Sequence, residues 1–301
     1  MFTHKIMIID FNFNFSKKNS FNIAFYVILK SKKVQGFKMK FDFLKNGHLK
    51  KLFGLFEKEG AKLYVVGGAI RNSFVNRDVS DIDLVTNMLP EKMVEMFDKN
   101  KIKYDDMGIN FGTIRCLFAD EKFEITTLRQ DKYEKRNKIN KIIFSRYPRV
   151  KFVDSVDIDA RRRDFTVNAI YVDKDGSIID PLGGMKDLEN GVVKFIGNPL
   201  DSVMQDPLRI LRYFRFCAEG FYKNFDDVSL AVCVANFDKT FNLSKRKFAT
   251  EYNKIIACRG RFVIFNKWEE FGILNKMEDF ANKQIEEVRI EDAKRNAKRK
   301  K

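Results

Sequence analysis

Paired cysteines are missing from this 301-residue chain. Cys116, Cys217, Cys233 and Cys258 form no Cys-x-x-Cys, and their spacing argues against a zinc knuckle or a disulfide scaffold. That usage fits a reducing cytoplasm. A long apolar run is missing too. Near the N-terminus the longest runs from Ile23 to Leu29, short of the roughly 20 residues that a bilayer span needs. Asp10 also interrupts the stretch from Ile6 to Phe15, where a signal peptide would be continuous. The sequence therefore predicts no membrane association. No obligate protein partner is evident, and no repeat of roughly 20 to 50 residues is visible. The two histidines, His4 and His48, lie outside every motif described below and receive no role. Acidic residues are in deficit, with 41 Asp+Glu against 57 Lys+Arg and a formal net charge of +16, so a polyanionic partner is expected. Part of the excess sits in Lys294, Arg295, Lys298, Arg299, Lys300 and Lys301, which reads as a solvated tail.

What is present suffices for a globular protein. A hydrophobic content of 45% with 31 Phe can fill a sizeable core in two or three compact units. Residues 1–38 carry Phe, Asn, Ile and Lys without a sustained period. They read as an N-terminal extension, with Met39 a candidate translation start. Leu49 to Phe56 then has helical spacing. A strand at Leu63–Val66, the pair Gly67-Gly68, a helix from about Ala69 to Phe74 and a strand across Ile82–Val85 follow. Further strand-like runs at 113–118, 122–127, 151–153 and 166–172 predict an α+β unit, residues 39–190, with a mixed sheet of about five strands. After Pro181-Leu-Gly-Gly184 the pattern turns helical, which predicts a neck over 191–260 and a short helical body with the basic tail over 261–301.

Three clusters carry chemistry. In the first, Gly67-Gly68-Ala-Ile-Arg71 is followed by Asp81-Ile-Asp83-Leu-Val. On a strand, residues two apart project from one face at roughly 6.6 Å, so Asp81 and Asp83 could share a pair of metal ions. Two such carboxylates on an apolar strand are costly without a cation. Glu124 could supply a third carboxylate or be an edge charge. Gly67 and Gly68, at a strand-to-helix junction, would let backbone amides approach a phosphate.

The second cluster is Asp159-Ala-Arg-Arg-Arg-Asp164-Phe-Thr-Val-Asn168. Arg162 and Arg163 are planar donors suited to a triphosphate, while Asp164 and Asn168 have acceptors that could read a ribose hydroxyl. The third is Gln205-Asp206-Pro-Leu-Arg209-Ile-Leu-Arg212. Asp206 and Pro207 predict a helix start, with Arg209, Arg212 and Arg215 forming a basic face. A carboxylate beside a guanidinium matches the amino donor and ring-nitrogen acceptor of cytosine and adenine, and mismatches uracil and guanine.

In this order the clusters resemble the class II CCA-adding tRNA nucleotidyltransferase and poly(A) polymerase family, from about Leu63 to Phe216 and more weakly to Ala257. The resemblance implies phosphate binding at Gly67, Gly68 and Arg71, and catalytic Mg²⁺ on Asp81 and Asp83. It implies sugar and phosphate contacts from Arg162, Arg163 and Asp164, and selection of C or A by Asp206 and Arg209. Leu243-Ser-Lys-Arg246 ahead of Glu251 is similar to a later neck motif. The segment from Arg129 to Val153 stands where the family has a flexible loop for the switch from C to A addition. Asn72 and Gln205 depart from the family, each replacing an acid. The implied activity is addition of CCA to tRNA from CTP and ATP. The alternatives are a poly(A) polymerase using ATP alone, or a non-catalytic RNA-binding protein.

Overall fold

The computed structural model describes residues 41–299 except 76, 80, 139, 140, 146, 147 and 221–223. The expectations for residues 1–38 and for a start at Met39 therefore lie outside the described residues, as do the side chains of the basic tail. After a 3-10 turn at Asp42–Lys45 comes helix α1, Gly47–Lys58. The Asn46 side chain caps it by accepting from the backbone of His48 and Leu49 at 2.8 and 3.0 Å. Leu49, Leu52, Phe53 and Phe56, spaced at one helix face, are all buried.

Strand β1 (Leu63–Val66) leads through Gly67 into α2 (Gly68–Phe74). β2 (Asp83–Thr86), α3 (Pro90–Lys99) and the edge strand β3 (Lys103–Asp105) follow, then the hairpin β4 (Thr113–Phe118) and β5 (Glu121–Thr127). The next strands are β6 (Arg129–Lys132), β7 (Lys135–Lys138), β8 (Lys141–Phe144) and β9 (Arg149–Phe152). Helix α4 (Val156–Arg161) precedes β10 (Tyr171–Val172) and β11 (Ile178–Ile179).

The fold is α+β, as expected, but the main sheet has seven strands rather than about five, in the order β11-β10-β1-β2-β5-β4-β3. Its pairs are antiparallel except β2 with β5. Two expected strands are placed differently. The run 166–172 starts as a 3-10 turn, Thr166–Asn168, and only Tyr171–Val172 is strand. The run near 151–153 pairs with β6 outside the main sheet. The segment that stands where the family has a flexible loop forms short strand pairs, β6 with β9 and β7 with β8. Its beta-branched and aromatic residues, Ile142, Ile143 and Phe144, favour extended backbone.

From Gly184 onward the chain is helical: α5 (Gly184–Asn190), α6 (Pro199–Gln205), α7 (Leu208–Ala218), α8 (Asp227–Ala235), α9 (Lys245–Ala257), α10 (Arg261–Glu270) and α11 (Leu274–Arg299). Residues from 41 on form one compact unit. An aromatic cluster surrounds α7. Phe165 contacts Phe195 and Phe216, and Phe214 on α7 reaches the fully buried Trp268 at 5.5 Å. Among the described residues no helix is long and apolar enough to cross a membrane, and all four cysteines are free.

Candidate functional site

Strand β2 sets the first half of the site. It begins at Asp83, so Asp81 lies in the approach to the strand rather than on it. The expectation that both carboxylates project from one strand face is corrected to that extent. The chain enters β2 only where it pairs with β1 on one side and β5 on the other. The parallel register places Asp83 beside Glu124. These three carboxylates line a cleft of about 660 Å³ together with Lys103, Tyr104, Asp105 and Arg115. Protein around Asp83 desolvates its carboxyl and raises its pKa, and the charges of Glu124 and Asp81 push it the same way. Arg115, opposite Glu124 across the β4–β5 ladder, donates to it from Nε at 2.9 Å.

This donor set is all carboxylate and its charges repel, which suits a hard divalent cation. Among the described residues no group of three or more His, Cys, Asp or Glu converges closely enough to form a cage.

Asp159 organises the second half. It is fully buried near the end of α4, and its side chain gathers five donors. Oδ1 accepts from Arg162 Nε at 2.7 Å and the Arg129 backbone at 3.1 Å; Oδ2 accepts from the Tyr171 hydroxyl at 2.8 Å and from Nε and Nη2 of Arg163 at 3.1 and 2.9 Å. Burial alone would raise its pKa, but Arg163 and Arg162 outweigh that and lower it. The arginines are thereby fixed in orientation with other N–H groups left over. A smaller pocket of about 240 Å³ opens beside them, lined by Arg161, Arg162, Arg163, Tyr133, Ser202 and Arg209 among others.

Asp164 joins this region to α7. Its Oδ2 accepts from Arg212 Nε and Nη2 at 2.7 and 2.6 Å, and its Oδ1 from Asn168 and from the Phe165 backbone at 2.9 Å. Against the desolvation that would raise it, Arg212 and Asn168 hold its pKa down at about 2. Asn168 in turn accepts from Arg71 Nη1. Arg71 is only 6% exposed, lies 3.6 Å from Glu219 and stacks 4.4 Å above the Phe216 ring. Arg212 and Arg215 stand over the same ring at 5.3 and 4.1 Å. Arg71, expected to bind phosphate, is thus held inside the protein among Asn168, Glu219 and the Phe216 ring, and desolvation lowers its pKa to about 10. Asn168 is buried with it.

Gly67 has φ +74°, a conformation that glycine accepts, and this lets β1 turn into α2. Asp206 ends α6, and its carboxylate accepts from the Leu208 backbone at 3.1 Å, so it caps α7. Arg209 extends toward Ser202 and the Arg162 carbonyl. The expected residues thus form two adjoining groups. One is the carboxylate cleft; the other is the arginine pocket, braced by Asp164, Asn168 and Arg71. Asp159, Ser202 and Phe216 were not expected here. Asp159 and Phe216 stood at the ends of motifs that could have signalled them; Ser202 stood in none.

Residues 63–194 match the model of the poly(A) polymerase head domain. The CCA-adding enzyme of Bacillus licheniformis is 33% identical over 201 residues, 66% of this chain and 47% of that protein. The CCA-adding enzyme of Streptococcus gordonii is 36% identical over 202 residues, with the same two shares. The chain spans about half the length of these curated relatives. Among solved structures, the Bacillus stearothermophilus CCA-adding enzyme in complex with CTP superposes with a TM-score of 0.66 at 25% identity, over 78% of this chain and 56% of that one. The Thermotoga maritima CCA-adding enzyme complexed with tRNA shares the fold at a TM-score of 0.59 and 22% identity, over 79% and 52%.

Proposed function

We propose that this chain, whose residues 63–194 match the poly(A) polymerase head domain and which is similar to CCA-adding enzymes, adds C, C and A to tRNA 3′ ends from CTP and ATP without a nucleic-acid template. The observation that carries the reading is the adjacency of the two groups. A carboxylate pair suited to metal faces one cleft, and the charge of Arg163, one of the fixed arginines around the pocket that contains Arg209, acts on Asp83. A non-catalytic RNA-binding module has no use for the first group.

In the reaction the terminal 3′-hydroxyl oxygen attacks the α-phosphorus. A new P–O bond forms, the bond to the β-phosphate bridging oxygen breaks, and pyrophosphate leaves with that electron pair while the hydroxyl proton passes to solvent. Asp81 and Asp83 would hold Mg²⁺, which when bound supplies charge neutralisation and a more acidic hydroxyl. Glu124 adds negative potential beside them. Arg162 and Arg163, anchored by Asp159, present their remaining N–H groups to the triphosphate. Gly67 and Gly68 bring backbone close to it, and Arg71, Asp164, Asn168 and Arg212 hold the head against α7. Asp206 and Arg209 read the base. We assign residues 39–190 to the catalytic head, 191–260 to the neck and 261–301 to the body and tail. The net charge of +16 supports an RNA partner, and the four free thiols suit the cytoplasm.

The test incubates purified protein with tRNA lacking its CCA end and each nucleotide singly. Extension with CTP first, and with ATP only after two C additions, is expected. Processive extension with ATP alone would replace this reading with poly(A) synthesis, and no extension with any nucleotide would end it.

A further inference from the structure

Arg209 is held differently from its neighbours in the pocket. Arg162 and Arg163 are anchored by the Asp159 carboxylate, and Arg212 by Asp164. Arg209 instead donates from Nη1 to the Ser202 hydroxyl at 2.7 Å and from Nη2 to the Arg162 backbone carbonyl at 3.3 Å. Both acceptors are neutral, so the guanidinium is oriented while its charge stays uncompensated by its anchors. Ser202 also takes part in the main chain here. Its backbone carbonyl accepts the Asp206 N–H at 3.2 Å, the bond that ends α6. Ser202, 4% exposed, therefore fixes the Arg209 guanidinium, while the Asp206 carboxylate is held by the Leu208 N–H. Gln205, next to Asp206, contributes no charge to this arrangement.

We infer that Ser202 is the positioning residue for base selection, setting the tilt of Arg209 relative to Asp206 through its hydroxyl. The inference rests on the reading of that pair as the base reader. A reader that matches an amino donor beside a ring-nitrogen acceptor works only if its own acceptor and donor stay at fixed spacing. With the hydroxyl gone, Arg209 keeps one weak backbone acceptor and its side chain can swing. Uracil and guanine, which place donor against donor in a rigid site, then meet a site that can yield.

The experiment compares kcat/KM for CTP against UTP, and for ATP against GTP, in wild type, Ser202→Ala and Ser202→Thr, each on tRNA ending at the appropriate position. Loss of a hydrogen bond to a charged group should lower both ratios by about tenfold or more in Ser202→Ala. Ser202→Thr, which keeps the hydroxyl, should restore them. A loss of overall activity with ratios intact would be a structural effect and would overturn the inference. So would equal ratios in all three proteins, although transfer by the wild type would leave the proposed function standing. A wild type that transfers no nucleotide overturns both. If Ser202→Ala melts below the assay temperature, Ser202→Cys, which weakens the acceptor at similar size, carries the same expectation.

Discussion

Asp159 and Arg163 meet two-pronged inside the head, with Nε and Nη2 of the arginine 3.1 and 2.9 Å from one carboxylate oxygen. That oxygen also accepts from the Tyr171 hydroxyl, and the other holds Arg162. A buried carboxylate with this many donors is costly to remove, because the guanidiniums would stay buried without compensation. Asp159→Asn should lose about 3–5 kcal/mol of stability by urea unfolding. It should also raise KM for the nucleotide, since the arginines lose their orientation. Tyr171→Phe removes a single hydroxyl and should cost about 1 kcal/mol.

Asp83 behaves in the opposite sense. Desolvation and the neighbouring Glu124 raise its pKa, so its ionised form is disfavoured in the folded chain without a cation. Asp83→Asn should therefore leave the metal-free protein as stable as wild type or slightly more so. Nucleotide transfer should fall by about a thousandfold or more, given several kcal/mol from metal-assisted catalysis. Thermal melting and primer extension on the same preparation check both halves. A variant that melts early would make Asp83 a structural residue.

Much of this was legible in the chain. The spacing of Leu49, Leu52, Phe53 and Phe56 specified α1, and the Gly67-Gly68 pair marked the junction of β1 with α2. Other features were hidden for physical reasons. β3 is three residues, Lys103-Tyr104-Asp105, on a sheet edge, too short and polar to show a period. Arg71 carries a charge that argues for solvent, yet Asn168, Glu219 and the Phe216 ring together keep it inside. Those partners lie 97 to 148 positions away, beyond any local pattern. Ser202 belongs to no motif, and only the packing of α6 against α7 brings its hydroxyl to Arg209.

The Asp164–Arg212 contact predicts an acid limit. The folded-state pKa of Asp164, about 2, lies below its ordinary value of 3.8. The contact thus stabilises the protein fully above the unfolded pKa, and its contribution disappears as pH falls from about 4 toward 2. Wild type should lose on the order of 2 kcal/mol through this group over that window. Asp164→Asn, less stable at pH 7, should show a flatter profile there. Urea unfolding at a series of pH values between 6 and 2 compares the two, and parallel profiles would mean that Asp164 does not carry the acid dependence.

Gly184 tests how closely the helical part is fitted to the site. It starts α5, and a Cβ there would lie 2.2 Å from the Thr166 carbonyl oxygen and 3.0 Å from an Ile170 side-chain carbon. The obstacle is backbone, so no side-chain rotation relieves it. Thr166 is two residues from Asp164, and its hydroxyl donates to Asp187 on α5 at 2.6 Å. Gly184→Ala must therefore displace either α5 or the 3-10 turn at Thr166–Asn168. Overpacking of this kind costs about 1–3 kcal/mol. Because the turn carries Asn168, nucleotide KM should rise along with the loss of stability. Gly183→Ala is the control: a Cβ there has nothing within 4 Å, and only its positive φ of +74° opposes it. Gly183→Ala should therefore lower melting temperature while leaving KM unchanged. Equal effects of the two variants on KM would show that α5 does not hold the turn in place.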